Sequence, residues 1–153
     1  MNIHEHFMKK AIAEAKKAYA KGETPIGAVI VKDGKVIARG HNLRETKKNA
    51  LCHAEIIAIN KACKKLGGWR LFQCDMYVTL EPCLMCAGAI IQSRVKNLYF
   101  GAYDKKGGAV GSLIDMPSIE GVTQKVDATG GILENECSTL MKDFFKELRS
   151  NKS

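Results

Sequence analysis

Two short runs of the sequence hold the residue types that metal-assisted catalysis requires. His53-Ala54-Glu55 is one, and Pro82-Cys83-Leu84-Met85-Cys86, thirty residues later, is the other. Cys83 and Cys86 are three apart, which puts them on one face of a helix where both sulfurs can grip a single ion. A helix N-terminus at that point favours the thiolate form that ligates metals. With His53 beside them the set is three soft or borderline donors, suited to Zn²⁺ with one tetrahedral position left for water, as in a catalytic zinc centre. Glu55 stands two residues from His53 in the same turn, able to face the site without binding the metal and to shuttle protons for the bound water. The cofactor this pattern predicts is one Zn²⁺ per subunit.

Other readings of these residues compete. A Cys-x-x-Cys pair can be a redox motif, but such motifs usually lack a His-x-Glu partner, and here the bulky Leu84-Met85 lies between the thiols. A closed structural zinc would need Cys52 as fourth ligand, and Cys52 would have to share the metal with its chain neighbour His53. Cys63, Cys74 and Cys137 read as core or incidental thiols. His4 and His6 read as solvated terminal residues and His41 as a loop residue near the site, while Lys47-Lys48 and Lys64-Lys65 read as solvated faces.

The elements that must position these residues can be read from periodicity. Phe7, Met8, Ala11, Ile12, Ala15, Ala18 and Tyr19 recur at three- and four-residue intervals and predict an amphipathic helix over 5–21, closed by Gly22. Residues 26–31 and 36–39, joined by Asp33-Gly34, predict a β-hairpin. A helix is expected over 53–66, ended by Gly67-Gly68, then a buried strand over 76–80. Pro82 suits the first position of a helix running to about Ser93. Residues 95–100 predict another strand, and 101–117 a glycine-bearing loop too long to be a simple connection. A weakly supported strand over 122–126 and a closing helix over 133–148 complete the chain. This order predicts an α/β fold, a three-layer α/β/α sandwich around a mixed five-stranded sheet.

The chain has 153 residues, 46% of them hydrophobic and 26% charged, which fits a single domain over 1–153 and excludes bulk disorder. Its longest apolar run, 83–91, is about half of the roughly 18 residues a membrane span needs, so no membrane association is expected. The charged N-terminal stretch leaves no room for a signal peptide, and a cytoplasmic protein with reduced thiols follows. The net charge of +8 allows a polyanionic partner but equally serves solubility.

In its His-x-Glu and Pro-Cys-x-x-Cys runs the sequence resembles the zinc-dependent nucleoside and nucleobase deaminases. Asn42, the run 79–89 (Thr-Leu-Glu-Pro-Cys-Leu-Met-Cys-Ala-Gly-Ala), Gly101-Ala102-Tyr103-Asp104, Gly108-Ala109-Val110-Gly111-Ser112 and Glu136-Cys137 before Phe144-Phe145 are similar to one branch, the bacterial tRNA-specific adenosine deaminases. The similarity covers nearly the whole chain and implies a cytidine deaminase-like fold. It also implies hydrolysis of the wobble adenosine of a tRNA anticodon stem-loop to inosine, with release of ammonia. In that scheme zinc supplies hydroxide for attack at C6, while Glu55 takes the water's proton, delivers it to N1 and then protonates the leaving amine. The resemblance further implies that Asn42 hydrogen-bonds the flipped purine and Ile26 packs on its face, with the Ala54 N–H as another contact. Asp104 and Lys106 would hold flanking nucleotides. One of Phe144 and Phe145 should be in the core and the other free to stack on a base. A homodimer whose subunits both line the RNA cleft is implied as well. The zinc half alone is shared with guanine and cytidine deaminases, although cytidine deaminases typically carry cysteine at the position of His53. A free-nucleobase deaminase acting on guanine and a catalytically silent, zinc-stabilised RNA-binding module are the alternatives.

Overall fold

The computed structural model describes residues 2–151. Helix α1 (Ile3–Ala20) starts with a reciprocal capping box, in which the Asn2 side chain accepts the Glu5 N–H and the Glu5 carboxylate accepts the Asn2 N–H. Strands β1 (Gly27–Lys32) and β2 (Lys35–His41) pair antiparallel across Asp33-Gly34, whose φ values of 51° and 75° are those of a two-residue hairpin turn. Then follow α2 (Ala54–Leu66), β3 (Cys74–Leu80), α3 (Leu84–Gln92), β4 (Asn97–Ala102), a short 3₁₀ turn at Met116–Ser118, β5 (Asp127–Thr129) and α4 (Glu134–Ser150).

The five strands form one mixed sheet in the order β2-β1-β3-β4-β5, antiparallel from β2 to β3 and parallel from β3 to β5. Alternation along the strands splits the core into two layers. Ala28, Ile30, Met76, Val78, Leu98 and Phe100 face α2 and α3. Val29, Val31 and Tyr77 face α1, with Cys137 of α4 in the same cluster. The expected α/β/α sandwich around five strands is thus the fold found. β3, α3 and β4 make the parallel crossover, which sets the C-terminal end of β3 beside the start of α3.

Four expectations need correction. The last strand is not over 122–126. Val126 is buried and Val122 packs against the core from irregular backbone, so their apolar character reports inward-facing loop side chains, while the exposed residues 127–129 supply the ladder to β4. Pro82 is not the first helical residue, because Cys83 with extended backbone is the N-cap of α3 and the Pro82 carbonyl accepts the Ala109 N–H at 2.8 Å. His4 is not simply solvated, since its Nδ1 is 2.8 Å from the Tyr77 hydroxyl and its ring stacks on Tyr99 at 4.2 Å. His41 ends β2 and turns toward α1, where its Nδ1 lies 3.0 Å from the buried Glu14 carboxylate. Among the described residues no helix is long and apolar enough to cross a membrane.

Candidate active site

The two chemistry-bearing runs begin two helices whose N-termini converge. His53 is the N-cap of α2 and Cys83 the N-cap of α3, with Cys86 in the first turn after it. His53 Nδ1 lies 3.7 Å from Cys83 Sγ and 3.6 Å from Cys86 Sγ. Metal bonds of about 2.3 Å to sulfur and 2.0 Å to nitrogen at tetrahedral angles separate S and N by roughly 3.6 Å. The spacing and chemistry of this donor set therefore fit a thiolate–imidazole metal site. Among the described residues these three form the candidate metal cluster, and Cys52 is outside it, which removes the four-ligand closed site.

Close packing of glycine fixes where α2 begins. A Cβ on Gly40 of β2 would sit 2.5 Å from the Ala54 carbonyl oxygen, so β2 lies against the first turn of α2 only because residue 40 has no side chain. That approach seats His53 and Glu55 relative to the sheet.

The charges in the cluster are coupled. Hydrogen bonding from Cys86 is the main influence holding the Cys83 thiol down at about 3, against the opposing effect of burial. The same bond, with burial, pushes Cys86 up, and the bond to Cys83 raises His53. Glu55 is 4% exposed. Burial chiefly, with the Cys83 charge adding to it, lifts its carboxyl to about 7. A carboxyl balanced between its two protonation states near neutral pH has the property required of a proton shuttle.

A cavity of about 250 Å³ opens at His53 and is lined by Ile26, Asn42, Ala54, Asp104 and Phe145, all singled out by sequence. Thr24, Arg44, Leu80 and Met141 complete the lining without having been singled out. Lys106 lies instead on an adjoining cavity of about 550 Å³ that shares Leu80, Asp104, Met141 and Phe145 with the first. The two neighbouring phenylalanines divide as their spacing on a helix requires. Phe144 is buried edge-on against Tyr19, so it packs rather than lines either cavity, while Phe145 is 39% exposed at both.

Asn42 is 5% exposed and already half engaged: its Nδ2 donates to the Thr24 carbonyl at 3.3 Å and its Oδ1 accepts from the Arg44 N–H at 3.2 Å. Each amide atom retains one further bonding capacity, enough for a donor–acceptor pair to a purine edge. Arg44 opens the loop that runs to α2, closed at its neck by the Leu43 N–H to the Cys52 carbonyl at 3.0 Å. The buried Glu23 holds this loop by accepting from the Glu45 N–H at 3.1 Å and the Thr46 N–H at 2.5 Å. Burial raises its pKa, but the bonds from Thr46 and Glu45 outweigh that and leave the carboxyl below its ordinary value. The opposite rim, 104–112, is gathered around a second buried carboxylate, Glu81. Sequence assigned neither glutamate a role, Glu81 being noted only within the 79–89 run, since their partners lie in segments more than twenty residues away.

A sequence model of the MafB19-like deaminase family matches residues 2–149. The chain is 51% identical over 152 residues to a tRNA-specific adenosine deaminase of Bacillus subtilis, covering 99% of this chain and 94% of that one. It superposes with a TM-score of 0.86 and 46% identity on a structure from work on A-to-I editing by tRNA:A34 deaminases at the wobble position of transfer RNA, across 88% of this chain and 98% of the other. A guanine deaminase from Bacillus subtilis is also 46% identical, with a TM-score of 0.64 over 67% of this chain and 66% of that one.

Proposed function

The chain belongs to the tRNA-specific adenosine deaminases of the MafB19-like deaminase family, and from that premise we propose that it hydrolyses the wobble adenosine of a tRNA anticodon loop to inosine and ammonia. The observation that carries the proposal is the meeting of a His-Cys-Cys cluster with a buried, proton-poised Glu55 beside a cavity that also holds Asn42.

His53, Cys83 and Cys86 would hold one Zn²⁺, which when bound supplies Lewis-acid activation of water at neutral pH. Glu55 would take one proton from the attacking water and pass it to N1 of the adenine as the C6–O bond forms, then take the remaining hydroxyl proton and give it to the exocyclic amine as the C6–N bond breaks and ammonia leaves. Asn42 uses its remaining donor and acceptor to orient the purine edge, Ile26 contacts the ring face, and the Ala54 N–H offers a further hydrogen bond. The cavity holds one base, so the target must leave the loop stack, and extrusion from an unpaired loop costs less than from a duplex.

The adjoining cavity serves the nucleotides beside the target, with Asp104 and Lys106 toward sugar and phosphate and Phe145 as a stacking surface. A homodimer fits the exposed apolar side chains Leu51 and Leu84, each within two residues of the cluster, since a second copy would cover them and approach the same cleft. The cytoplasm suits both a tRNA substrate and ligand cysteines that must stay reduced. The likeness to a guanine deaminase supports a second reading, a free-base deaminase for which the adjoining cavity has no task. Nucleoside digestion of a treated anticodon stem-loop tests the proposal: inosine replacing the wobble adenosine supports it, and an unchanged adenosine refutes it.

A further inference from the structure

Glu81 lies between the metal cluster and the nucleotide-side cavity and belongs to neither. It is 2% exposed, and no ion pair reaches it among the described residues. Its carboxylate is compensated by one loop. Oε1 accepts the Asp104 N–H at 3.1 Å and the Ser112 hydroxyl at 2.5 Å, while Oε2 accepts the Val110 N–H at 3.0 Å and the Ser112 N–H at 3.1 Å. The loop wraps the carboxylate so closely that a Cβ on Gly108 would collide with Cδ of Glu81. Backbone bonds from Glu81 N–H to the Ala102 carbonyl, and from Ala109 N–H to the Pro82 carbonyl, fasten the same loop on either side.

We propose that Glu81 is a positioning residue that holds the 104–112 loop in its RNA-binding shape and so gives the enzyme its preference for a stem-loop over a free nucleoside; the inference rests on the deaminase reading above. The chain of contacts is short. Glu81 fixes the Asp104 N–H, and Asp104 Oδ1 in turn accepts the Lys106 and Gly107 N–H groups, each at 3.2 Å. The two residues assigned to flanking nucleotides are thereby ordered before RNA arrives. An ordered loop spares the binding step the entropy of arranging it, a gain only a substrate that touches the loop can collect. Free adenosine in the cavity at His53 borders the loop only at Asp104 and brings no flanking nucleotide for the rest of it to hold. A buried carboxylate serving stability alone would make no such distinction between substrates.

The test is steady-state deamination of an anticodon stem-loop and of free adenosine by the full-length, zinc-loaded wild type, Ser112→Ala and Glu81→Gln, with zinc content measured on each. Ser112→Ala deletes one donor and leaves the segment next to Cys83 untouched. Glu81→Gln replaces an acceptor oxygen with an amide that faces the loop N–H groups with donors of its own. The expected result is a stem-loop KM raised about tenfold in Ser112→Ala and further in Glu81→Gln, with zinc content and the adenosine kcat/KM within about twofold of wild type. A stem-loop KM unchanged in Ser112→Ala, or stem-loop and adenosine rates falling together, overturns the role assigned to Glu81. A wild type inactive on the stem-loop overturns the deaminase reading itself, and this inference with it.

Discussion

His53 and Cys83 are N-cap residues of two different helices, and neither side chain caps its own helix; Nδ1 and Sγ meet each other instead, 3.7 Å apart. A capping side chain typically contributes about 1 kcal/mol to a helix. Both helices forgo that contribution, so the arrangement stores its stability in whatever joins the two side chains. A metal bound there links the helix starts directly.

Cys83→Ala and Cys86→Ala should therefore each lose bound zinc and lower the melting temperature, by about 2–4 °C for every kcal/mol lost at this chain length. Cys63→Ala, a half-buried thiol outside the cluster, should retain one zinc per chain. Elemental analysis and thermal melts check both, and full zinc in Cys83→Ala would contradict the ligand set.

Glu55→Ala should leave zinc content and stem-loop affinity nearly unchanged while lowering kcat by about 10²- to 10⁴-fold, the usual contribution of a positioned acid–base group. Zinc loss in this variant would make Glu55 a ligand.

Asn42 and Asp104 should separate by substrate. Asn42→Ala removes a side chain lining the cavity at His53 and is expected to slow both stem-loop and adenosine. Asp104→Ala unfastens the Lys106 and Gly107 N–H groups and, because Asp104 borders both cavities, should harm the stem-loop mainly, with a smaller effect on adenosine. Rates for two variants on two substrates decide this, and an adenosine rate falling in Asp104→Ala as far as the stem-loop rate would refute the division.

Glu23 gives a pH dependence of defined sign. Its folded pKa is lowered from the ordinary 4.5 because Thr46 and Glu45 bonds outweigh burial, so its stabilisation is complete above the unfolded value and is lost as pH falls through the folded one. The stability difference between wild type and Glu23→Gln should be largest near neutrality and shrink below about pH 4.5. Urea midpoints across that range measure it, and a difference that grows on acidification would show the sign to be wrong.

Much of this site is local in sequence, which is why it could be read there. His53 to Glu55 and Cys83 to Cys86 each span one helical turn, so residue type and spacing fixed their mutual geometry before the fold was known. The alternating strands and the hairpin at Asp33-Gly34 carried the sheet in the same way. What escaped depends on distant backbone. Glu81 and Glu23 find their partners among loop amides far along the chain, Arg44 and Met141 reach the cavity from opposite ends of the sequence, and β5 is a three-residue edge strand with no buried side chain to mark it.

The most direct measurement is ammonia release from an anticodon stem-loop carrying adenosine at the wobble position, set against release from free guanine at equal concentration. If remote RNA contacts hold the base in a reactive position, the stem-loop should react faster, and faster also than free adenosine. Guanine deaminated faster than the stem-loop would contradict the account and assign the cluster to a free-base deaminase.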